Sequence, residues 1–257
     1  MQENGIQVDA VAGTSAGSIV AALYGMGYTT DEMYKLFNYF AKSVMAISPK
    51  YLFSGIKEVR GIKLGGITSS YNIESAIMEA GKLKQIKNIK DIKVPISIPT
   101  TDLITDREII FTNCETLQGE EYIHDIEIGK AVRASSSFPA VFNPCLLKNH
   151  AFMDGGTLDN VPVNEVKKQG ADKVIAVKFD ADKIDENSNI MDIIMKTIDI
   201  MGSKISEESL EMSDLVLNVY TDKVGLLDVE KLDSCYKYGY ECVMENIDKI
   251  KEICKEQ

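Results

Sequence analysis

The sequence predicts an α/β protein in which a layered sheet of mostly parallel strands is flanked by helices. Short apolar runs typical of buried strands alternate with longer segments whose apolar residues recur at helical spacing. The chain of 257 residues is 45% hydrophobic and 26% charged, which is typical of a folded globular protein and excludes a disordered one. Since neither a repeat nor a low-complexity linker divides the chain, we expect a single domain over residues 1–257.

The expected elements follow one another along the chain. Strands are predicted over residues 8–13, 94–101, 107–112, 151–153, 173–179 and 214–220. Helices are predicted over residues 18–26, 30–40, 71–80, 126–134, 163–168, 190–212 and 229–253. A long excursion, rich in Gly and aromatic side chains, is expected over residues 45–68.

Local signals support these boundaries. Gly27 can end the first helix, and either Thr30 or Asp31 can cap the second. A polar turn at residues 102–106 joins two strands, and Pro139 follows the helix predicted over residues 126–134.

The charge balance excludes one class of partner. With 28 Lys and Arg against 39 Asp and Glu, the net charge is −11, so the surface repels phosphate backbones and we expect no nucleic-acid partner. No run of 18 apolar residues predicts a transmembrane helix. Lysines alternate with isoleucines over residues 82–93, which allows either transient contact with a membrane surface or a solvated helix end leading into a strand.

The cysteines and the first residues of the chain indicate which cellular compartment to expect. The five cysteines contain no C-x-x-C pair, which fits free thiols in a reducing compartment. Neither a basic leader nor an apolar h-region is present at the start, so we expect a cytoplasmic protein. Nothing in the sequence specifies an oligomeric state.

The chemistry centres on a serine turn. Residues Gly13-Thr14-Ser15-Ala16-Gly17 give the G-x-S-x-G pattern between a predicted strand and a predicted helix, which is the context of a nucleophile elbow. The flanking glycines avoid Cβ clashes, and the N–H of Ala16 together with the helix dipole can stabilise an oxyanion. The alternative is a tight turn in which Ser15 only caps the helix.

A nucleophilic serine needs a proton acceptor, and residue order restricts the choice. Ser15 precedes both histidines, so only a Ser…Asp…His order is open, with an acid between Ser15 and His124 or His150. Asp154 follows both histidines and is itself a candidate base, because desolvation in a closed cleft would raise its pKa toward neutrality. The alternative for Asp154 is a turn-forming role before two glycines.

Three blocks together resemble the patatin-like phospholipase family. They are GTSAGS at residues 13–18, AVRASSSFPAVFNP at residues 131–144 and MDGGTLDNVPV at residues 153–163. The resemblance covers a motif core over residues 6–163 and continues more weakly through the strands and helices of residues 164–257.

This resemblance implies a lipid acyl hydrolase of phospholipase A, lysophospholipase or esterase type. Ser15 would be the nucleophile and Asp154 its base, in a dyad without histidine that needs no metal or other cofactor. The substrate partner would be a lipid or another acyl ester. The residues expected to support the oxyanion and the motifs are Gly13, Ala16, Gly17, Gly155 and Gly156.

One departure from the family pattern affects the expected activity. Family members carry a glycine-rich loop after a first strand, upstream of the serine, and its N–H groups form most of the oxyanion hole. The chain begins too late to contain that strand and loop, so the expected fold lacks its first strand. Two alternatives stay open: a catalytically weak lipid-binding or interaction protein, and a serine peptidase or thioesterase that pairs Ser15 with His124 or His150.

The departure predicts that the chain as it stands is weakly active and poorly stable as a monomer. Adding an upstream strand and a glycine-rich loop should raise esterase activity about tenfold or more, because each oxyanion donor contributes about 10²–10³ in turnover. An ester-hydrolysis assay on the two chains measures this, and equal activities would contradict it.

Overall fold

The computed structural model describes residues 1–44, 70–139, 141–180, 190–221 and 231–255. It confirms the expected α/β class, with a mixed sheet and helices packed against it. The excursion predicted over residues 45–68 lies outside the described residues.

Helices and strands alternate along the described chain. The α-helices are α1 (Ala16–Gly25), α2 (Thr30–Val44), α3 (Tyr71–Leu83), α4 (Ile128–Ser135), α5 (Val163–Lys168), α6 (Ile190–Glu211), α7 (Leu232–Glu245) and α8 (Ile247–Lys255). The strands are β1 (Val11–Ala12), β2 (Ile96–Asp102), β3 (Arg107–Thr112), β4 (Tyr122–Ile123), β5 (Cys145–Leu147), β6 (His150–Asp154), β7 (Ile175–Asp180) and β8 (Leu215–Tyr220). Short 3₁₀ turns cover Gln2–Asn4, Ile89–Asp91 and Gly155–Thr157.

The differences from the expected boundaries have local causes. The first strand is shorter than predicted, because the N–H and C=O groups of Val8 bond to the Tyr24 hydroxyl group instead of to a strand. The expected terminal helix is two helices, since α7 ends at Glu245 and Asn246 separates it from α8. Strands β4 and β5 have two and three residues, too few for an alternating pattern to reveal them.

One sheet of the described residues has the strand order β4-β3-β2-β6-β5, and β1 joins it by pairing with β2. The β1–β2 and β3–β4 pairs are parallel, whereas the β2–β3, β2–β6 and β5–β6 pairs are antiparallel. Strands β7 and β8 form a separate parallel pair.

Strand β2 is paired along both edges, and two strands share one of them. Strand β3 covers β2 from Ser97 to Asp102. Along the other edge, β1 pairs with Ile96 and Ser97, and β6 pairs with Thr100, Thr101 and Asp102. Because β1 runs parallel to β2 and β6 runs antiparallel to it, the carboxyl ends of β1 and β6 point toward each other.

The main core joins this sheet to α1, α3 and α4. Phe111 of β3 and Phe152 of β6 meet edge to face with ring centroids 5.3 Å apart. Each fully buried side chain of this size contributes about 1.5–3 kcal/mol relative to an exposed one. The core therefore fixes the strands whose ends carry the candidate site. Other fully buried members are Leu23, Ile77, Ile96, Ile98 and Val132.

Within the lysine-rich segment at residues 82–93, α3 ends at Leu83, and the residues that follow include the 3₁₀ turn Ile89–Asp91 before β2. Ile89 and Ile92 are buried in the core, and three of the lysines form ion pairs with neighbouring acidic side chains. Contact with a membrane surface stays a prediction. Among the described helices, none has both the length and the hydropathy of a transmembrane span.

Candidate active site

The register of β1 and β6 on β2 brings Ser15 next to Asp154. Strand β1 pairs Ala12 with Ser97, and the N–H of Gly13 donates to the carbonyl oxygen of Ser97, so the serine turn follows directly on this part of β2. Strand β6 pairs Asp154 with Thr100, three residues further along the same edge, and the Ser15 hydroxyl group is close enough to act on its carboxyl group. Two motifs from distant parts of the sequence therefore meet at one point on the edge of β2.

Ser15 has a sparsely populated backbone conformation, with φ 54° and ψ −121°. A positive φ is uncommon for a residue with a Cβ atom and costs about 1–3 kcal/mol, which the surrounding structure must offset. The turn is closed by the N–H of Gly17, which donates to the carbonyl oxygen of Thr14 at 2.8 Å. Ser15 is half-buried and directly precedes α1, as a nucleophile elbow requires.

Asp154 ends β6 and is only 3% exposed. Its Oδ1 accepts a hydrogen bond from the N–H of Gly156 at 2.9 Å, whereas Oδ2 has no hydrogen-bond partner among the described residues. Burial raises the pKa of Asp154 to about 6, against smaller opposing effects from the nearby Ser15 hydroxyl group and the Gly156 N–H. Ser15 thus influences the carboxyl group without making a hydrogen bond of full geometry. A carboxylate with a free oxygen and this pKa can accept a proton near neutral pH.

The two glycines after Asp154 let its turn contact the serine turn. A methyl group on Gly155 would overlap the carbonyl oxygen of Pro99 and would lie 3.0 Å from Cγ2 of Thr14. A methyl group on Gly156 would lie 3.0 Å from Oδ1 of Asp154 itself. A side chain at position 155 would therefore push this turn away from β2 and from the serine turn, and a side chain at position 156 would displace the Asp154 carboxyl group.

A run of three serines at the end of α4 contacts both turns. The N–H of Ser15 donates to Oγ of Ser135 at 3.1 Å, and Oγ of Ser136 donates to the carbonyl oxygen of Ser15 at 3.1 Å. The N–H of Asp154 donates to the carbonyl oxygen of Ser137 at 3.1 Å. No local pattern in the sequence predicts a role for these serines, although they lie in one of the three blocks that carry the resemblance.

The flanking residues of the serine turn differ in what they contribute. Ala16 is exposed and begins α1, so its N–H has no acceptor within the helix and can donate to an oxyanion beside Ser15. A methyl group on Gly13 would overlap the carbonyl oxygen of Gly17, whereas one on Gly17 would meet nothing within 4 Å. Close approach thus requires a glycine at only one of the two positions.

Neither histidine is hydrogen-bonded to Ser15 within the described structure. Both ring nitrogens of His124 face backbone carbonyl groups. Nδ1 of His150 lies 2.8 Å from Oδ2 of Asp102, so the chain does contain an Asp–His pair in the Ser…Asp…His order. However, His150 precedes Asp154 by four residues on β6, which is about 13 Å along a strand. This separation does not favour a histidine as the base of Ser15.

Asp102, which the sequence predicts as the start of a turn, has a carboxyl group that holds parts of the structure together. Burial alone would raise the pKa of Asp102, yet hydrogen bonds from His150, Thr105 and the N–H groups of Ala151 and Ile104 hold it below its usual value. These bonds join the β2–β3 turn to the start of β6, the strand that ends in Asp154.

A polar cavity of about 280 Å³ is lined by further carboxylates. Burial raises the pKa of Glu108 to about 7 and that of Asp159 to about 6, and the charge of Glu165 adds to both shifts. Lys168 opposes these shifts and pairs with Glu165 at 2.7 Å.

The hydroxyl group of Thr14 donates to the carbonyl oxygen of Asp159 at 2.8 Å, so the loop that lines this cavity also supports the serine turn. No group of three or more His, Cys, Asp or Glu side chains among the described residues is arranged to hold a metal ion.

The chain is similar to several known proteins. A family model described as patatin-like phospholipase matches residues 1–167. The chain is 26% identical to Lysophospholipase NTE1 of Meyerozyma guilliermondii over 270 residues, covering 93% of this chain and 17% of the fungal protein. It is 26% identical to Patatin-like phospholipase domain-containing protein 6 of Mus musculus over 247 residues, covering 95% of this chain and 16% of the mouse protein.

A viral relative is more similar in length. The chain is 28% identical to Probable lipid hydrolase 463L of Invertebrate iridescent virus 6 over 180 residues, covering 66% of this chain and 60% of the viral protein. By contrast, the chain spans less than a fifth of the fungal and mouse proteins.

The asymmetry between the two glycines of the serine turn is testable. We expect Gly13→Ala to lower the free energy of unfolding by about 1–3 kcal/mol, because its methyl group overlaps backbone. Gly17→Ala should change it by less than about 1 kcal/mol, since the site is open and alanine favours the helix. Urea unfolding followed by circular dichroism measures both variants. Equal effects would contradict the described geometry.

Proposed function

Because the chain belongs to the patatin-like phospholipase family, we propose that it is a lipid acyl hydrolase that acts through an acyl-serine intermediate. The observation that carries the proposal is the position of Ser15, strained and half-buried, close to the buried carboxyl group of Asp154, whose Oδ2 has no hydrogen-bond partner among the described residues. The names of two relatives, lysophospholipase and probable lipid hydrolase, support a fatty acyl ester of a phospholipid, a lysophospholipid or a simple alcohol as the substrate.

Acylation proceeds in two steps. Oγ of Ser15 attacks the acyl carbonyl carbon while its proton passes to Oδ2 of Asp154, and the electron pair of the carbonyl double bond moves to the oxygen. The N–H of Ala16 donates to this oxyanion. The bond between the acyl carbon and the alcohol oxygen then breaks, and the departing alcohol takes the proton from Asp154. The products of this half-reaction are the free alcohol and an acyl group on Ser15.

Deacylation repeats the same proton transfers with water. A water molecule attacks the acyl carbon and gives a proton to Asp154, and the Ala16 N–H again stabilises the oxyanion. Collapse of this second intermediate breaks the bond to Oγ of Ser15, which recovers the proton from Asp154. The fatty acid leaves, and both residues return to their starting state.

Burial of Asp154 makes this dyad workable without histidine. An aspartate at its ordinary pKa is a weak base for a serine hydroxyl group. Raising the pKa from 3.8 to about 6 makes proton acceptance easier by about 3 kcal/mol, at 1.36 kcal/mol per unit. The free Oδ2 leaves a place for the proton. The weak activity expected for the chain as it stands remains part of the proposal, since Ala16 supplies one oxyanion donor and the resemblance implies several.

Replacing the nucleophile tests the proposal directly. We expect Ser15→Ala to abolish labelling by a fluorophosphonate and to lower hydrolysis of a soluble acyl ester by about 10³-fold or more, because the covalent intermediate cannot form. Ser206→Ala is a matched control, since it removes a buried hydroxyl group that donates to the carbonyl oxygen of Gly202 within α6. Undiminished labelling of the Ser15→Ala chain would overturn the proposal. An unlabelled wild-type chain that still binds lysophospholipid would favour the lipid-binding alternative.

The raised pKa of Asp154 predicts a pH profile. Asp154 accepts a proton only when ionised, so kcat/KM should rise with pH through about 6 and reach a plateau above it. Hydrolysis of a soluble ester between pH 4.5 and 8 measures the profile, with Asp154→Asn as the variant that should lose activity at every pH. A profile without an inflection near pH 6 would contradict the role of Asp154.

Stability provides an independent check of the same pKa. Since the folded pKa lies above the unfolded value, the folded state binds more protons between about pH 4 and 6, and Asp154 makes the protein less stable as pH rises through that window. Asp154→Asn removes this dependence and should gain about 1–3 kcal/mol relative to wild type between pH 4 and pH 7. Urea unfolding at the two pH values measures the difference.

A further inference from the structure

We infer that Ser135 and Ser136 are positioning residues that hold Ser15 in its reactive backbone conformation. This inference rests on the proposed function, because the conformation matters for catalysis only if Ser15 is the nucleophile. It assigns a role to the serine run at residues 135–137, which neither the motif pattern nor the dyad chemistry requires. The hydroxyl groups contact Ser15 through its backbone and leave its side chain free to react.

The N–H of Ser15 depends on Ser135. It donates to Oγ of Ser135, and that hydroxyl group in turn donates to the carbonyl oxygen of Pro99 on β2 at 2.6 Å. Ser135 is fully buried, so solvent does not readily replace this bond. Ser135 therefore links the strained residue to a central strand, and its loss leaves the Ser15 N–H and the Pro99 carbonyl group without this partner.

The carbonyl group of Ser15 accepts hydrogen bonds from two other serine side chains. Oγ of Ser136 donates to it at 3.1 Å, and Oγ of Ser18 donates to it at 2.6 Å. Side-chain bonds thus fix both peptide groups that flank Ser15, and this restricts rotation about φ and ψ. Because Ser18 shares the carbonyl contact, removing Ser136 should have a smaller effect than removing Ser135.

The same segment also locates the base. The carbonyl oxygen of Ser137 accepts the N–H of Asp154, so consecutive residues of one helix end contact the nucleophile and the aspartate. A displacement of Ser15 relative to this segment is therefore a displacement relative to Asp154. Misplacing a reacting group by about 1 Å can lower a rate by about 10²-fold, which is enough to make these hydroxyl groups kinetically important.

The test compares Ser135→Ala and Ser136→Ala with Ser70→Ala. Ser70 is a matched control, because it is also a buried serine of this network but bonds to Arg133 and Ser137 and not to Ser15. The measurements are the second-order rate of fluorophosphonate labelling, kcat and KM for a soluble acyl ester, and the melting temperature. We expect labelling and kcat to fall about 10- to 100-fold in Ser135→Ala and about 2- to 10-fold in Ser136→Ala, and to stay within about twofold in Ser70→Ala. KM should stay near the wild-type value, because none of these hydroxyl groups is placed to touch substrate.

Each result separates the two proposals. If Ser135→Ala is labelled as fast as Ser70→Ala, or if its defect lies only in KM or in the melting temperature, the positioning role is wrong while the proposed hydrolase stands. A wild-type chain that fluorophosphonate does not label overturns the hydrolase itself. If Ser135→Ala does not fold, Ser136→Ala decides: equal labelling of Ser136→Ala and Ser70→Ala overturns the inference, and a slower rate at an equal melting temperature supports it.

Discussion

The edge of β2 that faces away from β3 is occupied by two strands that approach from opposite directions. Strand β1 enters parallel to β2 and leaves it after Ser97, and β6 enters antiparallel and ends opposite Thr100. Their carboxyl ends converge, so the turns that follow them must pass each other in a narrow space. The steric demand for a glycine at position 155, the contact between the two turns and the burial of Asp154 all follow from this convergence.

Close packing where the two strands converge accounts for the unusual properties of Asp154 and Ser15. Desolvation raises the pKa of Asp154, which would make it a better base in the proposed mechanism and also makes its ionised form costly in the folded state. Ser15 has a backbone conformation that is unfavourable in isolation. Both features lower stability locally, and the buried strands and helices of the main core offset them. Catalytic sites typically have reactive groups whose conformation or burial lowers the stability of the fold.

The resemblance and the local patterns anticipated much of the fold and the two central residues. The strands at residues 107–112 and the helix at residues 163–168 were predicted with their observed bounds, because alternating and helical patterns are local. Strands β4 and β5 were missed because two or three residues carry no pattern. The positions of Ser135 and Asp102 beside the site were missed for a different reason, since their partners lie far away in the sequence.

The sequence by itself determined the α/β class, the serine turn at the start of a helix and the choice of an aspartate as the candidate base. Each of these depends on residue type and short-range spacing, or on the order of residues along the chain. Only the tertiary structure decided that Ser15 and Asp154 meet at the edge of β2, that His150 pairs with Asp102, and that the serine run at the end of α4 contacts both turns. These relations depend on strand register and on long-range packing, for which no local spacing in the chain gives a signal.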